Sequence, residues 1–138
     1  MSEGHEHPPL SLAISPCPND TYIFHGWIEG MVEAAPAVRV LFEDIDTLNS
    51  LARREAVDVV KVSMHAFAHV CDQYALLHAG GALGRGCGPL VVARKDSHLR
   101  PVSGRENAAG LADALSRARV AVPGGLTTAA LLAELFTG

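Results

Sequence analysis

Short apolar segments alternate with helix-like segments along the first half of the chain. The apolar segments are short enough for buried strands and lie at residues 10–14, 38–42 and 57–62. Each is followed by helix-start signals, which predict helices at residues 20–29, from a cap at Asp46 or Thr47 to about 55, and at 64–73. Because strands that alternate with helices return in the same direction, this order predicts an α/β fold built on a parallel sheet.

The second half of the chain also alternates between strand-like and helix-like segments, with longer segments between them. Two further strands are predicted at residues 89–94 and 119–122, and two further helices at 111–118 and 129–136. Polar residues 95–107 are interpreted as a surface insertion. The last strand and helix have nothing to pair with, and one strand with one helix cannot bury its own faces. We therefore expect the sequence to be the front part of a longer protein.

Composition excludes several classes of protein. Of the 138 residues, 49% are hydrophobic and 19% charged, which is typical of a globular chain. The net charge of −4 and the lack of a basic run argue against nucleic acid or an anionic membrane as a partner. No apolar run reaches the roughly 20 residues of a membrane span, and the polar tail, residues 1–9, lacks the apolar core of a secretion signal. Cys17, Cys71 and Cys87 form no C-x-x-C pair, so we expect reduced thiols in a cytoplasmic protein.

A turn with two prolines, Ser15–Thr21, joins the first predicted strand to the first predicted helix. The prolines remove two backbone donors and hold the chain extended, while Asn19, Asp20 and the threonine after them can each cap a helix. Ligands bind at strand ends in open α/β sheets, and a helix N-terminus there favours an anion. The turn therefore fits a carboxylate site that includes Ser15, Asn19 and Asp20, or equally a rigid connection without a ligand. Cys17 is interpreted as a small turn residue, because no base lies beside it in the sequence.

Three strand-to-helix turns share one layout, at residues 15–21, 63–65 and 124–128. Each offers hydroxyl groups and free N–H groups at the same end of a sheet. Their convergence predicts a polar cleft for a small-molecule carboxylate.

Two polar residues stand out near these turns. Lys61 interrupts an apolar strand and shares a strand face with Ser63, so its ammonium points into the cleft or reaches solvent past a packed stem. Asn49 lies in the first turn of its helix, where it could donate to a ligand or to a loop carbonyl. Both are kept as candidate binding residues.

Two other patterns are only weak indications of a metal site or a phosphate site. His65 and His69 have the i, i+4 spacing of metal ligands, but no third ligand follows them, and two half-exposed helix histidines are the simpler interpretation. The five glycines of residues 80–88 match no phosphate-binding motif and precede a predicted strand. No metal site, no cofactor and no Ser/His/Asp arrangement is predicted.

Several ordered blocks of the sequence resemble one enzyme family, the 1,4-dihydroxy-6-naphthoate synthases of the futalosine route to menaquinone. The blocks are Ser15–Phe24, Glu43–Asn49, Lys61–Ser63, Gly80–Gly86 with Gly88–Ala93, and Val120–Gly124 with Thr127 and Thr128. Together they cover nearly the whole chain except the tail and residues 95–118.

The resemblance implies a two-lobed fold like that of type II periplasmic binding proteins, with the ligand between the lobes. It divides the chain into a tail (1–9), a first lobe without its C-terminal return (10–93) and the start of a second lobe (94–138) with an insertion at about 95–118. It implies substrate contacts from Lys61, Val62, Ser63, Thr127 and Thr128, and a pocket residue at Asn49. It also implies a carbon–carbon lyase that converts cyclic dehypoxanthine futalosine to 1,4-dihydroxy-6-naphthoate.

One departure from the family pattern concerns the general base. The family uses a histidine of a His-Glu motif in the second lobe, and none of the seven histidines here matches it. The resemblance therefore implies a base beyond Gly138 and no turnover by residues 1–138 alone. Two alternatives remain open: a carboxylate-binding protein of the same fold without chemistry, and an enzyme like chorismate dehydratase. The oligomeric state is not predicted.

Overall fold

Strand β1 (Leu10–Ile14) is the central strand of a three-stranded parallel sheet in the computed structural model, which describes residues 8–86, 88–97 and 108–138. Strand β2 (Val38–Phe42) pairs with the whole of β1, with Leu10 opposite Val38 and Ile14 opposite Phe42. Strand β3 (Val59–Val60) pairs with the other edge of β1. The predicted α/β fold with a parallel sheet is therefore confirmed.

One helix follows each strand. They are α1 (Pro18–Ile28), α2 (Ile45–Arg53) and α3 (Met64–Ala68). Two more helices, α4 (Ala108–Ser116) and α5 (Thr128–Thr137), pack against each other, and α5 also packs against α3. None of the helices in the described ranges is both long enough and apolar enough to cross a bilayer.

The core lies around β1. Leu12, Ala13 and Ile14 are fully buried although successive strand residues point to opposite faces, so both faces of this strand are covered. Leu48 from α2 and Ala66 from α3 are also fully buried. The burial of both faces explains why the sequence of β1 is a continuous apolar run rather than an alternating one.

The short strand β3 is held at its start by a carboxylate. Asp58 Oδ2 accepts hydrogen bonds from the backbone N–H and the hydroxyl of Ser11, at 2.8 and 2.6 Å, and Asp58 N–H donates back to Ser11 Oγ at 2.8 Å. These bonds lower the pKa of the Asp58 carboxyl. They fix the position of β3 beside β1 where only two residues of the strand pair.

Several predicted elements have different bounds in the structure. The strand predicted at 57–62 is limited to Val59–Val60, and the helix predicted at 64–73 ends at Ala68 and continues as turns. The cap of α2 is Asp44 instead of Asp46 or Thr47, because the Asp44 backbone is still extended and its carboxylate accepts from Thr47 N–H at 2.9 Å.

The strands predicted at residues 89–94 and 119–122 are wrong, because neither segment pairs with another in the part of the chain that is described. A β-branched run forms a strand only where a neighbouring strand offers its backbone groups, and Leu90 and Val92 here are almost fully exposed. The predicted helices 111–118 and 129–136 are present with shifted bounds. Helix α4 lies wholly inside the proposed insertion at 95–118, while residues 98–107 and 1–7 lie outside the described residues.

Leu12→Ala should lower the free energy of unfolding by about 3 kcal/mol, because it leaves a cavity at a fully buried position of the central strand. Leu90→Ala is the matched control, since the Leu90 side chain is 86% exposed and its truncation removes little packing. Urea unfolding of both variants measures the difference. Equal losses of stability would contradict the assignment of β1 as the core strand.

Candidate functional site

The three strands of the sheet end at one edge, and each is followed there by polar residues. Because parallel strands point the same way, the segments after β1, β2 and β3 meet at their carboxyl ends. Ser15 follows β1, Asp44 follows β2, and Lys61 and Ser63 follow β3. The candidate site is built from this edge.

Asp20 and Lys61 form an ion pair across the edge. The Asp20 residue is 2% exposed, and its Oδ1 lies 2.5 Å from Lys61 Nζ. Its other oxygen, Oδ2, accepts from the Ser15 hydroxyl at 2.7 Å and from Ser15 N–H at 3.2 Å. Burial opposes ionisation, but the bonds from Lys61 and Ser15 outweigh it, so the pKa of the Asp20 carboxyl is lowered. The structure thus ties the Lys61 ammonium to the first turn of α1.

Cys17 lies at the N-cap of α1, with its sulfur 2.9 Å from the Ser15 hydroxyl. That hydroxyl, together with the N–H groups of Asp20 and Asn19, lowers the pKa of the Cys17 thiol. Some of the hydrogen-bond donors that were predicted to bind a ligand at this turn are therefore directed at the sulfur of Cys17. The side chain of Asn19 itself is exposed.

Asn49 and Ser63 bind each other through two hydrogen bonds. Asn49 is 1% exposed, and its Oδ1 accepts from Ser63 N–H at 3.1 Å while its Nδ2 donates to Ser63 Oγ at 3.3 Å. Asn49 therefore fixes the turn between β3 and α3. Because the Ser63 hydroxyl accepts from Asn49, its own proton remains available to a ligand. Val62, the residue before Ser63, is half-buried.

The turn before α5 is closed by hydrogen bonds of the Thr127 side chain. Thr127 is the N-cap of α5, and its hydroxyl accepts from Ala130 N–H at 3.2 Å and donates to Gly124 O at 2.8 Å. Thr127 is 4% exposed, whereas Thr128 is exposed. Of the two threonines predicted to contact substrate, only Thr128 therefore has a side chain open to a ligand.

Gly124 brings this turn against α2. Its φ of +146° is a conformation that L side chains rarely adopt, and a Cβ added here would lie 2.8 Å from the Cβ of Asp46 in the first turn of α2. A side chain at position 124 would therefore push the turn away from the sheet edge.

His65 connects α3 to the same turn, which the sequence analysis did not foresee. Its Nδ1 lies 3.3 Å from Thr127 O, and its Nε2 lies 3.3 Å from His69 Nε2. The i, i+4 spacing placed both rings on one face, but no signal in the sequence marked a partner 62 positions away. Among the described residues, no group of three or more His, Cys, Asp or Glu side chains gathers as a potential metal centre.

An apolar groove runs along the outer edge of β3. Residues of α1, β3, α3 and the segment after β3 line it, among them Phe24, Val59, Val62 and Phe67, together with Lys61. Strand β3 is an edge strand of the sheet, so no further strand covers this side of it in the part of the chain that is described. The polar residues at the sheet edge therefore adjoin an apolar surface.

Asp20→Asn should lower the free energy of unfolding by about 3 kcal/mol at neutral pH, because it leaves the ammonium of Lys61 without its anionic partner. The Asp20 pKa is lowered in the folded state, so the ion pair stabilises the protein above the ordinary carboxyl pKa of about 4. That contribution is lost as the pH falls through the lowered pKa, and the variant and the wild type should then converge.

Urea unfolding measured from pH 7 to pH 2.5 checks this expectation. Asp113→Ala is the control, since Asp113 pairs with Arg117 on an exposed helix face and its loss should have no measurable effect. A difference between Asp20→Asn and wild type that stays constant over the whole pH range would contradict the ion-pair assignment.

Comparisons with known proteins give a consistent result. The sequence model of the family described as "Menaquinone biosynthesis" matches residues 10–138. A 1,4-dihydroxy-6-naphthoate synthase of Streptomyces coelicolor is 47% identical over 128 residues, which are 92% of this chain and 40% of the relative. A protein of the same name from Thermus thermophilus is 44% identical over 127 residues, 92% of this chain and 41% of the relative. The chain thus spans about two fifths of the length of these relatives, and it belongs to the menaquinone biosynthesis family.

Proposed function

We propose that the chain is part of a 1,4-dihydroxy-6-naphthoate synthase, a carbon–carbon lyase that converts cyclic dehypoxanthine futalosine to 1,4-dihydroxy-6-naphthoate in the cytoplasm. The family match over residues 10–138 and two relatives of that name at 44% and 47% identity support the proposal. The blocks that carry the resemblance include the turns at the sheet edge, such as Ser15–Phe24 and Lys61–Ser63.

The observation that carries the proposal is the Asn49–Ser63 pair beside Lys61. Asn49 holds Ser63 so that its hydroxyl proton is free, and Lys61 places an ammonium two residues earlier on the same strand end. A carboxylate is bound by such a combination of a cation and hydroxyl donors. The substrate of the proposed reaction carries a carboxylate, and the apolar groove beside Lys61 supplies a surface for a fused ring.

The proposed fold of the whole protein is two-lobed, like that of type II periplasmic binding proteins. Residues 10–93 are proposed as the first lobe and residues 94–138 as the beginning of the second. Support comes from the contacts of α5 and its preceding turn with α3 and α2, which bring a turn of the later segment to the sheet edge of the earlier one.

In the proposed mechanism, this chain binds the substrate. Lys61, Val62, Ser63 and Thr128 bind the substrate and Asn49 holds Ser63 in place. Ser15, Asn19, Asp20 and Thr127 shape the turns around the substrate. A general base removes a proton to start a retro-aldol-like opening, and its pKa should lie near the working pH. We propose that this base is supplied by the part of the relatives' length that the chain does not span.

A chimera tests the proposal directly. In the Streptomyces coelicolor relative, the 128 matched residues are replaced by their counterparts from this chain, and product formation is followed with cyclic dehypoxanthine futalosine and with chorismate. Conversion of the first substrate alone is expected, and residues 1–138 without the remainder should give no product. Conversion of chorismate, or tight binding of either compound without conversion by the chimera, would overturn the proposal.

Ser63→Ala and Thr128→Val in the chimera should each raise KM about tenfold, because each removes one hydroxyl donor to the carboxylate, and a tenfold change is about 1.4 kcal/mol. Ser50→Ala on the exposed face of α2 and Thr137→Val at the far end of α5 are matched controls that should leave KM unchanged. Unchanged KM and kcat for both test variants would remove Ser63 and Thr128 from the substrate site.

A further inference from the structure

We propose that His65 is a positioning residue that holds the Thr127–Thr128 turn at the substrate site through a backbone hydrogen bond. The inference rests on the proposed function, because it assigns a role to a residue that neither the motif blocks nor the sequence pattern placed in the site. Its basis is a set of contacts among α3, α5 and the turn that precedes α5.

The contact with Thr127 fixes the tautomer of His65. A carbonyl oxygen only accepts, so the His65 Nδ1 that lies 3.3 Å from Thr127 O must carry the hydrogen. In the neutral ring Nε2 is then an acceptor, and His69 Nε2, 3.3 Å away, is its donor. The two histidines and the carbonyl thus form one directed chain in which His69 orients His65 and His65 holds the turn.

The bond reaches the backbone of Thr127 and not its side chain. The Thr127 hydroxyl is already committed to Gly124 O and Ala130 N–H, and the Thr127 carbonyl also accepts from Leu131 N–H at 3.1 Å. A carbonyl can accept two hydrogen bonds, so His65 takes the second position. Because Thr128 follows directly, the placement of its exposed side chain depends on where His65 holds this carbonyl.

A second contact holds the other end of the turn. Gly124 lies so close to Asp46 of α2 that a Cβ has no room there. The turn is therefore fixed by α2 at Gly124 and by α3 at Thr127, on the two helices that also carry Asn49 and follow Ser63. Removal of the His65 bond leaves the turn held by the close approach of Gly124 to Asp46 and by the packing of α5 on α3 and α4, and Thr128 loses the bond that acts on the carbonyl directly before it.

Two amide substitutions of His65 separate positioning from simple packing. The Asn side-chain amide can place an N–H near the position of Nδ1, whereas the Gln amide reaches the position of Nε2. In the active chimera, His65→Asn should keep KM within about twofold of the parent, while His65→Gln and His65→Ala should raise KM about fivefold to tenfold with a smaller change in kcat. Equal KM values for the Asn and Gln variants, or an unchanged KM for His65→Ala, would overturn the proposal.

A measurement without substrate tests the contact between His65 and Thr127 separately from the reaction. Long-range 15N–1H NMR correlations of the histidine rings, measured in the same chimera, should show His65 as the Nδ1–H tautomer. Observation of the Nε2–H tautomer would overturn the inference whatever the activity. A chimera that shows the Nδ1–H tautomer but converts no futalosine substrate would instead overturn the proposed function and leave the contact standing.

Discussion

The ion pair between the buried Asp20 and the half-buried Lys61 is the interaction on which the candidate site at the sheet edge depends. Strand β3 pairs with β1 through only two residues, so its position relies on links at its ends. Asp58 binds Ser11 at the start, and Lys61 binds Asp20 at the end, where Lys61 N–H also donates to Ala13 O at 2.9 Å. Because removal of one partner of such a pair leaves an uncompensated charge, the Lys61 end resists separation from Asp20. The position of Ser63, two residues later, follows from it.

The same ion pair limits what Lys61 can do for a ligand. Asp20 compensates the charge of the ammonium, so a bound carboxylate meets a nearly neutral cluster and not a free cation. The ammonium still has two further N–H donors, and 22% of the Lys61 side chain is exposed. Under the proposed function, recognition of a carboxylate at this edge would depend on the direction of several hydrogen bonds more than on net charge. The positions of the Ser63 and Thr128 hydroxyls would then be decisive.

Local patterns in the sequence predicted a strand correctly where the fold also supplied a partner strand. Strands β1 and β2 have the predicted bounds, because their apolar runs pair with each other along five residues. The segment at 89–94 has an equally strong run, yet it forms no strand, because strand formation requires a partner that the run itself does not encode. The site divides in the same way. Asn49 and Ser63 could be selected as polar residues near strand ends, but their mutual bonds could not.

Contacts between distant segments account for the rest, and they determine how the site is assembled. Asp20 and Lys61 are 41 positions apart, and His65 and Thr127 are 62 apart, so neither pairing follows from spacing or periodicity. Both contacts attach a helix start to the segment that follows β3. The ion pair fixes α1 to Lys61, directly after the strand, and His65 in α3 fixes the turn before α5. A shift of the segment from Lys61 to His65 would therefore move the donors of α1, of this segment and of the turn before α5 together.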